Sequence, residues 1–318
     1  LYLKGMNAIE KFPPDIELGI SYFNEAIEKN PADAYAWAGL ATAYIAYGHS
    51  PTPTKDVRQK ANAAALRAIQ LDSTLAQAWS VLGMVKAYYE WEWEAAEQAY
   101  HKANELNPSL PWNHYHYSWF LVLFGRMNEA IREHRLAQEL DPFGPAHTAW
   151  FGYLYAIVGE YDKALIEAER TIDMGFEAYG KFIQAGIYDF MGRNEEAIEI
   201  YEQLVTDQGA PKYDNLGLAY IKSGRIEEGN EILAELETKY DTIPTPWGAL
   251  KRAQMYAALG DYDNAFKWFN FEPHHHFVAW VRGIDDSLFI KDPRFKILMR
   301  KMNLPDPAPY QYDPDLDI

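Results

Sequence analysis

One punctuation pattern recurs along most of the 318 residues and limits what they can fold into. It is clearest in 111–142, PWNHYHYSWFLVLFGRMNEAIREHRLAQELDP. Two short amphipathic helices meet there at Gly125-Arg126, the second carries the small residues Ala130 and Ala137, and Asp141-Pro142 stops it. A helix pair of this size cannot bury its apolar face alone, so it is stable only between copies of itself. A single core for 318 residues would sit near the size limit of one domain, whereas stacked repeats each pack only on their neighbours.

The copies follow one another along the chain. Gly19, Phe23 and Ala26 share a face in the first unit, and Trp37, Leu40, Ala41 and Tyr44 lie at helical intervals in the second. Ala61, Ala65 and Ala68 fill small-residue slots after a proline-bearing insertion, GHSPTPTKD. The third unit repeats Trp79, Leu82 and Gly83, then Ala96, Tyr100 and Ala103 beyond a YYEWEWEAAE turn. Four further units carry Gly152, Tyr155, Gly159 and Ala164; Ala185, Tyr188, Gly192 and Ala197; Leu216, Gly217, Tyr220 and Gly224; and Ala253, Tyr256, Gly260 and Ala265. A glycine at each turn between paired helices is expected to supply the left-handed residue that ends the first helix.

The W-x-x-L-G-x-x-Y spacing, with Ala41 in place of Gly in the second unit, resembles the tetratricopeptide repeat, a helix–turn–helix unit of about 34 residues. That resemblance implies an all-α, right-handed superhelical solenoid of about eight such units. The expected array is 1–276, with units near 1–31, 34–73, 76–108, 111–142, 145–176, 178–209, 210–241 and 246–276. A helical cap over 277–304 is expected to use Phe289, Phe295, Leu298, Met299 and Met302, and a Pro/Asp-rich tail over 305–318 to be disordered.

LYLKG at the start, YEWEWEAAE and SLFIKDPRFKILMRKMNLP together resemble the tetratricopeptide region of bacterial multidomain signalling proteins. In that group the repeats follow a nucleotide cyclase, a Ser/Thr kinase or a winged-helix regulator, often with a TolB-like segment. A chain that begins at Leu1, already inside a helical pattern, reads as a piece of such a longer protein.

Charge and composition narrow the partners. A formal net charge of −17 repels phosphate, which argues against direct contact with nucleic acid or an anionic membrane. The absence of cysteine excludes disulfides, thiol catalysis and thiolate metal sites. No apolar run approaches the ~20 residues of a membrane span, and the default compartment is the cytoplasm, with the periplasm open. No nucleophile elbow, phosphate loop or dinucleotide fingerprint occurs, so no enzyme, cofactor or metal is expected. His274, His275 and His276 form a solvated loop in this reading, and His114 and His116 are two apart on a helix rather than the four of a zinc pair.

The aromatic residues point to binding. The chain holds 10 Trp, 23 Tyr and 15 Phe. In tetratricopeptide arrays the first helices line a concave face. The groove slots of three successive first helices carry Trp112, Tyr115 and Trp119, then Trp150 and Tyr153, then Tyr179 and Phe182. Core slots of the same helices are already filled by Tyr117, Leu121, Phe151 and Tyr155. A second aromatic row is then left to face outward, the mark of a recognition surface for a protein, a peptide or a small ligand. The Lys and Asn of a carboxylate clamp are missing from the matching slots. The competing reading is a structural scaffold whose aromatic residues are buried in a homo-oligomer.

Overall fold

The computed structural model describes residues 1–11, 14–48, 56–208, 213–239, 246–269, 291–304 and 312–316. Eight helical pairs follow in order. They are α1 (Tyr2–Glu10) with α2 (Ile16–Lys29), α3 (Ala34–Gly48) with α4 (Val57–Leu71), and α5 (Ala76–Val85) with α6 (Trp93–Leu106). Then come α7 (Pro111–Leu123) with α8 (Met127–Leu140), α9 (Pro145–Ile157) with α10 (Tyr161–Asp173), and α11 (Glu177–Phe190) with α12 (Asn194–Gln208). The last pairs are α13 (Tyr213–Ser223) with α14 (Ile226–Lys239) and α15 (Pro246–Ala258) with α16 (Tyr262–Phe269). A further helix, α17, spans Pro293–Lys301, and no strand forms among the described residues. These helices make two compact units that divide within α7, one ending at Phe120 and the other starting at Leu121.

In the first unit α3 packs on α1, α2, α4 and α5, and α5 packs on α6. Helices this close need small residues opposite large ones. Phe23 is fully buried, and Gly5 and Gly39 lie against its ring with no space for a Cβ. Gly83 does the same for Tyr100, where a Cβ would stand 2.8 Å from the ring.

The turns between pairs are tied by one repeated set of hydrogen bonds. Asn30, Asp72 and Asn107 each end a second helix, and their side-chain oxygens accept from the backbone N–H two residues on, at 3.2, 2.8 and 3.0 Å. Six residues after the next carbonyl, an aromatic ring donates back to it: Trp37 to Pro31 (3.0 Å), Trp79 to Ser73 (2.9 Å) and His114 to Pro108 (2.9 Å). His114 therefore performs in the fourth pair what tryptophan performs in the second and third. Its Nε2 must carry the proton, because a carbonyl only accepts.

Turns within pairs use glycine five times, with positive φ at Gly125, Gly159, Gly192, Gly224 and Gly260. The third pair departs from the expected glycine at every such turn. There α5 runs into a π-helical turn, Lys86–Glu90, and Trp91 takes the left-handed conformation at φ 53°. That conformation costs an L-residue roughly 1–2 kcal/mol. Lys86 spans the turn, pairing with Glu90 at 2.5 Å and Glu92 at 2.7 Å.

In the second unit α9 packs on α8, α10 and α11, and α13 packs on α12, α14 and α15. The core under α11 to α15 gathers Ile198, Tyr201, Leu216, Leu233, Leu236 and Met255. Helix α17 starts at an Asp-Pro cap, with Asp292 accepting from Arg294 N at 2.8 Å and Pro293 in the first turn. It docks on α16: Arg294 bonds Asp263 at 2.5 Å and its guanidinium lies 4.5 Å over Phe266, while Phe295, Leu298, Met299 and Met302 are buried. Phe289, expected in this cap, and His274 to His276 lie outside the described residues. Residues 312–316, expected to be disordered, instead include a 3-10 turn at Pro314–Leu316.

The crowding at Gly83 gives the first prediction. Gly83→Ala puts a methyl group into the Tyr100 ring, and it should lower stability by about 1–3 kcal/mol in thermal or urea unfolding. Gly83→Ala with Tyr100→Leu should recover part of that loss.

Candidate functional site

The expected binding residues fall into two aromatic clusters, one in each compact unit. In the first, Trp112 stacks on His116 at 5.7 Å and meets Tyr115 edge-on at 5.4 Å. Tyr115 in turn meets His116 at 5.0 Å and Trp119 at 6.5 Å, both edge-on. The three-and-four spacing on α7 thus brings Trp112, Tyr115 and Trp119 together as one stripe. Its members differ in exposure: Trp112 and Tyr115 are half-buried, whereas Trp119 is only 6% exposed. Trp119 forms the floor of the cluster. His116, which the sequence gives no reason to include, is fixed between the Trp112 face and the Tyr88 hydroxyl, 3.2 Å from its Nδ1.

In the second unit Trp150 meets Tyr153 edge-on at 5.4 Å, and Tyr153 meets Phe190 edge-on at 5.1 Å. The Tyr179 hydroxyl pairs with the Trp150 side chain, and burial drives its pKa upward. All four rings are half-buried. Tyr153 can reach α11 because Gly186 leaves room: a Cβ there would stand 3.1 Å from its ring. Phe182, also half-buried, packs on Tyr201 at 6.3 Å. The core slots of these helices hold buried Tyr117, Leu121, Phe151 and Tyr155.

A charged cluster adjoins the second aromatic group. The Tyr201 hydroxyl donates to Asp189 Oδ2 at 3.1 Å. Burial raises the Asp189 pKa, opposed by Lys222 and Lys251. Burial pushes Asp214 up to about 6 against Arg252 and Lys251, and it pushes Lys251 down to about 8 against Asp189 and Asp214. Arg252 is fully buried, donates to the Leu236 carbonyl at 2.6 Å and lies 4.6 Å over the Trp268 ring. Asp189 Oδ1 and Asp214 Oδ1 are buried and accept no hydrogen bond among the described residues. Sequence reasoning missed this group, because Asp214 stands in a first helical turn and Lys251-Arg252 in a helix, both ordinary places for solvated charge.

Two buried histidines lie at the contact of α8 and α9. His134 Nε2 donates to the His147 carbonyl at 2.9 Å, and its ring stacks on Phe151 at 5.0 Å. Burial holds His134 neutral, its pKa pushed down to about 3, and burial pushes His147 down to about 4. Among the described residues no three His, Asp or Glu side chains converge as a metal site would require. Nor is any described helix long and apolar enough to cross a membrane.

The histidines carry a pH dependence with a definite sign. In the unfolded chain an imidazole takes a proton near pH 6.5, but the folded His134 and His147 resist until about 3 and 4. The unfolded state therefore binds more protons in between, and stability is lost as pH falls from 6.5 toward 4. His134→Gln, with an amide that can still donate to the His147 carbonyl, should flatten the melting-temperature profile over that window.

Comparison with known proteins places this geometry among the repeat proteins. A family model described as tetratricopeptide repeat matches residues 181–206, most of α11 and α12. The transcriptional regulator HilA of Salmonella typhimurium is 24% identical over 144 residues, which is 45% of this chain and 26% of HilA. The matched region thus spans about a quarter of that relative. A tetratricopeptide repeat protein from Parabacteroides merdae superposes with a TM-score of 0.55 at 14% identity, covering 88% of this chain and 98% of its own. A chain of the Cut9–Hcn1 hetero-tetramer of the APC/C gives a TM-score of 0.56 at 12% identity, covering 92% and 54%. At these identities the likeness is one of fold. The repeat model thus matches the single helical pair α11 and α12, and the solved tetratricopeptide array shares the all-helical fold.

Proposed function

We propose that this chain is a non-catalytic binding module that holds a protein or peptide through aromatic residues of its first helices. It would form the regulatory or sensing part of a larger bacterial signalling protein. The observation that carries the reading is the double filling of α7 and α9. Each helix buries one set of large side chains and still holds further aromatic rings half out of the core, Trp112 and Tyr115 on α7 and Trp150 and Tyr153 on α9. Aromatic anchors lose little side-chain entropy on binding, and a desolvated Trp commonly contributes ~2 kcal/mol or more. The net charge of −17 favours a basic peptide over an acidic one. The partial match to a transcriptional regulator supports the reading of one region within a longer regulatory protein.

A test uses an immobilised peptide library screened with the intact chain. Trp150→Ala with Tyr153→Ala, and separately Trp112→Ala with Tyr115→Ala, should weaken the best peptides by about tenfold or more while melting changes little. Affinity should also fall with added salt. A stability loss of about 3 kcal/mol or more, with peptide affinity unchanged once folded protein is corrected for, would place these rings in the core and end the proposal.

The structural-scaffold reading has one observation in its favour. Leu136 and Leu140 lie one turn apart on α8 and are exposed, Phe143 in the following turn is 82% exposed, and Ile166 on α10 is 64% exposed. If these form a self-interface, Phe143→Ser with Ile166→Glu should convert an oligomer to a monomer in sedimentation, whatever happens to peptide binding.

A further inference from the structure

Beyond α17 the chain returns to α8 through a reciprocal pair of hydrogen bonds. Asn128 Nδ2 donates to the Asp313 carbonyl at 2.7 Å, and Asp313 N donates to Asn128 Oδ1 at 3.1 Å. The two residues are 185 apart in sequence and belong to the same compact unit. A single amide can span both main-chain groups only when the residue it meets is extended, since N–H and C=O of an extended residue point the same way. The sequence supplies that condition: Asp313 precedes Pro314, and a residue before proline is steered to the extended region.

The segment also carries bonds of its own. Asp313 Oδ1 accepts from Asp315 N at 3.0 Å, and the Asp313 carbonyl accepts from Leu316 N at 3.1 Å, which closes the turn at Pro314–Leu316. A short peptide already bent into its bound form loses less entropy on binding. The receiving end is suited to acidic sequence. Asn128 stands in the first turn of α8, where the helix dipole is positive, and the acid next to it, Glu129, is held by Arg126 through two bonds of 2.7 Å.

We propose that the start of α8 is a docking site for an extended Asp-Pro peptide, read through its backbone by Asn128, and that the chain's own segment 312–316 is the resident occupant. The site is independent of the aromatic clusters, so either can fail without the other. Its recognition mode is a side-chain amide duplicating one rung of a β-ladder, with Asp-Pro selecting the shape.

Hydrogen exchange on the intact chain tests this. The Asp313 amide should exchange about tenfold or more slowly in the wild type than in Asn128→Ala, with unchanged melting temperature. Asn128→Asp, which accepts but cannot donate and adds like charge, should lose the protection too. Protection should be the same at low and high protein concentration. A synthetic peptide of residues 310–318, YQYDPDLDI, added at about millimolar concentration should displace the resident segment and speed exchange at Asp313 of the chain, whereas the same peptide with Pro314→Gly should not. Equal exchange in wild type and Asn128→Ala would overturn the proposal. So would protection that grows with protein concentration, which would mean that a second copy supplies the segment, or displacement by both peptides alike.

Discussion

Close approach between helices, with one side chain large and its opposite absent, is the contact on which the rest of this structure depends. A helix pair joined by a short turn has little apolar surface of its own, so its stability comes from how near the next pair can come. Phe23 settles that distance in the first repeats by filling the space that side chains at Gly5 and Gly39 would take. Tyr100 over Gly83 settles it again in the third pair. Aromatic rings are thus used inside the array as spacers of fixed thickness. The same device serves the second unit, where Gly186 makes room for the Tyr153 ring of α9.

Besides stacking, the first three turns between pairs are tied by hydrogen bonds. An Asx-type bond closes the end of a second helix, and a ring N–H six residues beyond a carbonyl fastens the start of the next first helix. Both partners belong to the same turn, so the device is local and can be repeated whatever the neighbours carry. Locality is also consistent with the eight-residue stretch, residues 49–56, between the helices of the second pair. The insertion lies within a pair, and the ties between pairs at Asn30 and Asp72 are untouched by it.

The fold was legible in the sequence because its rules are periodic: apolar residues at helical spacing, glycines at turns, prolines after second helices. Where chemistry replaced a rule with an equivalent, the sequence misled. Trp91 in a left-handed turn reads as a missing glycine, and His114 reads as a stray histidine until its hydrogen bond shows it in a tryptophan's place. The α7 stripe could be read from spacing, but the difference between a ring on the surface and one beneath it, as with Trp119, depends on neighbours far along the chain. The Asp189, Asp214 and Lys251 group could not be read at all, since three helices bring it together and each member looks like ordinary surface charge. Asp313 is harder still, 185 residues from its partner.

The third turn has a mechanical consequence. Five of the hinges within pairs are held by glycine conformation, which responds to neither pH nor salt. At Trp91 the same bend is held in an unfavourable backbone state by Lys86 reaching two carboxylates, one of them, Glu92, more than half exposed to solvent. Ion pairs of that kind weaken as electrolyte screens them. One joint of the array therefore carries a salt-sensitive contribution, through the exposed Glu92, that the glycine joints do not have.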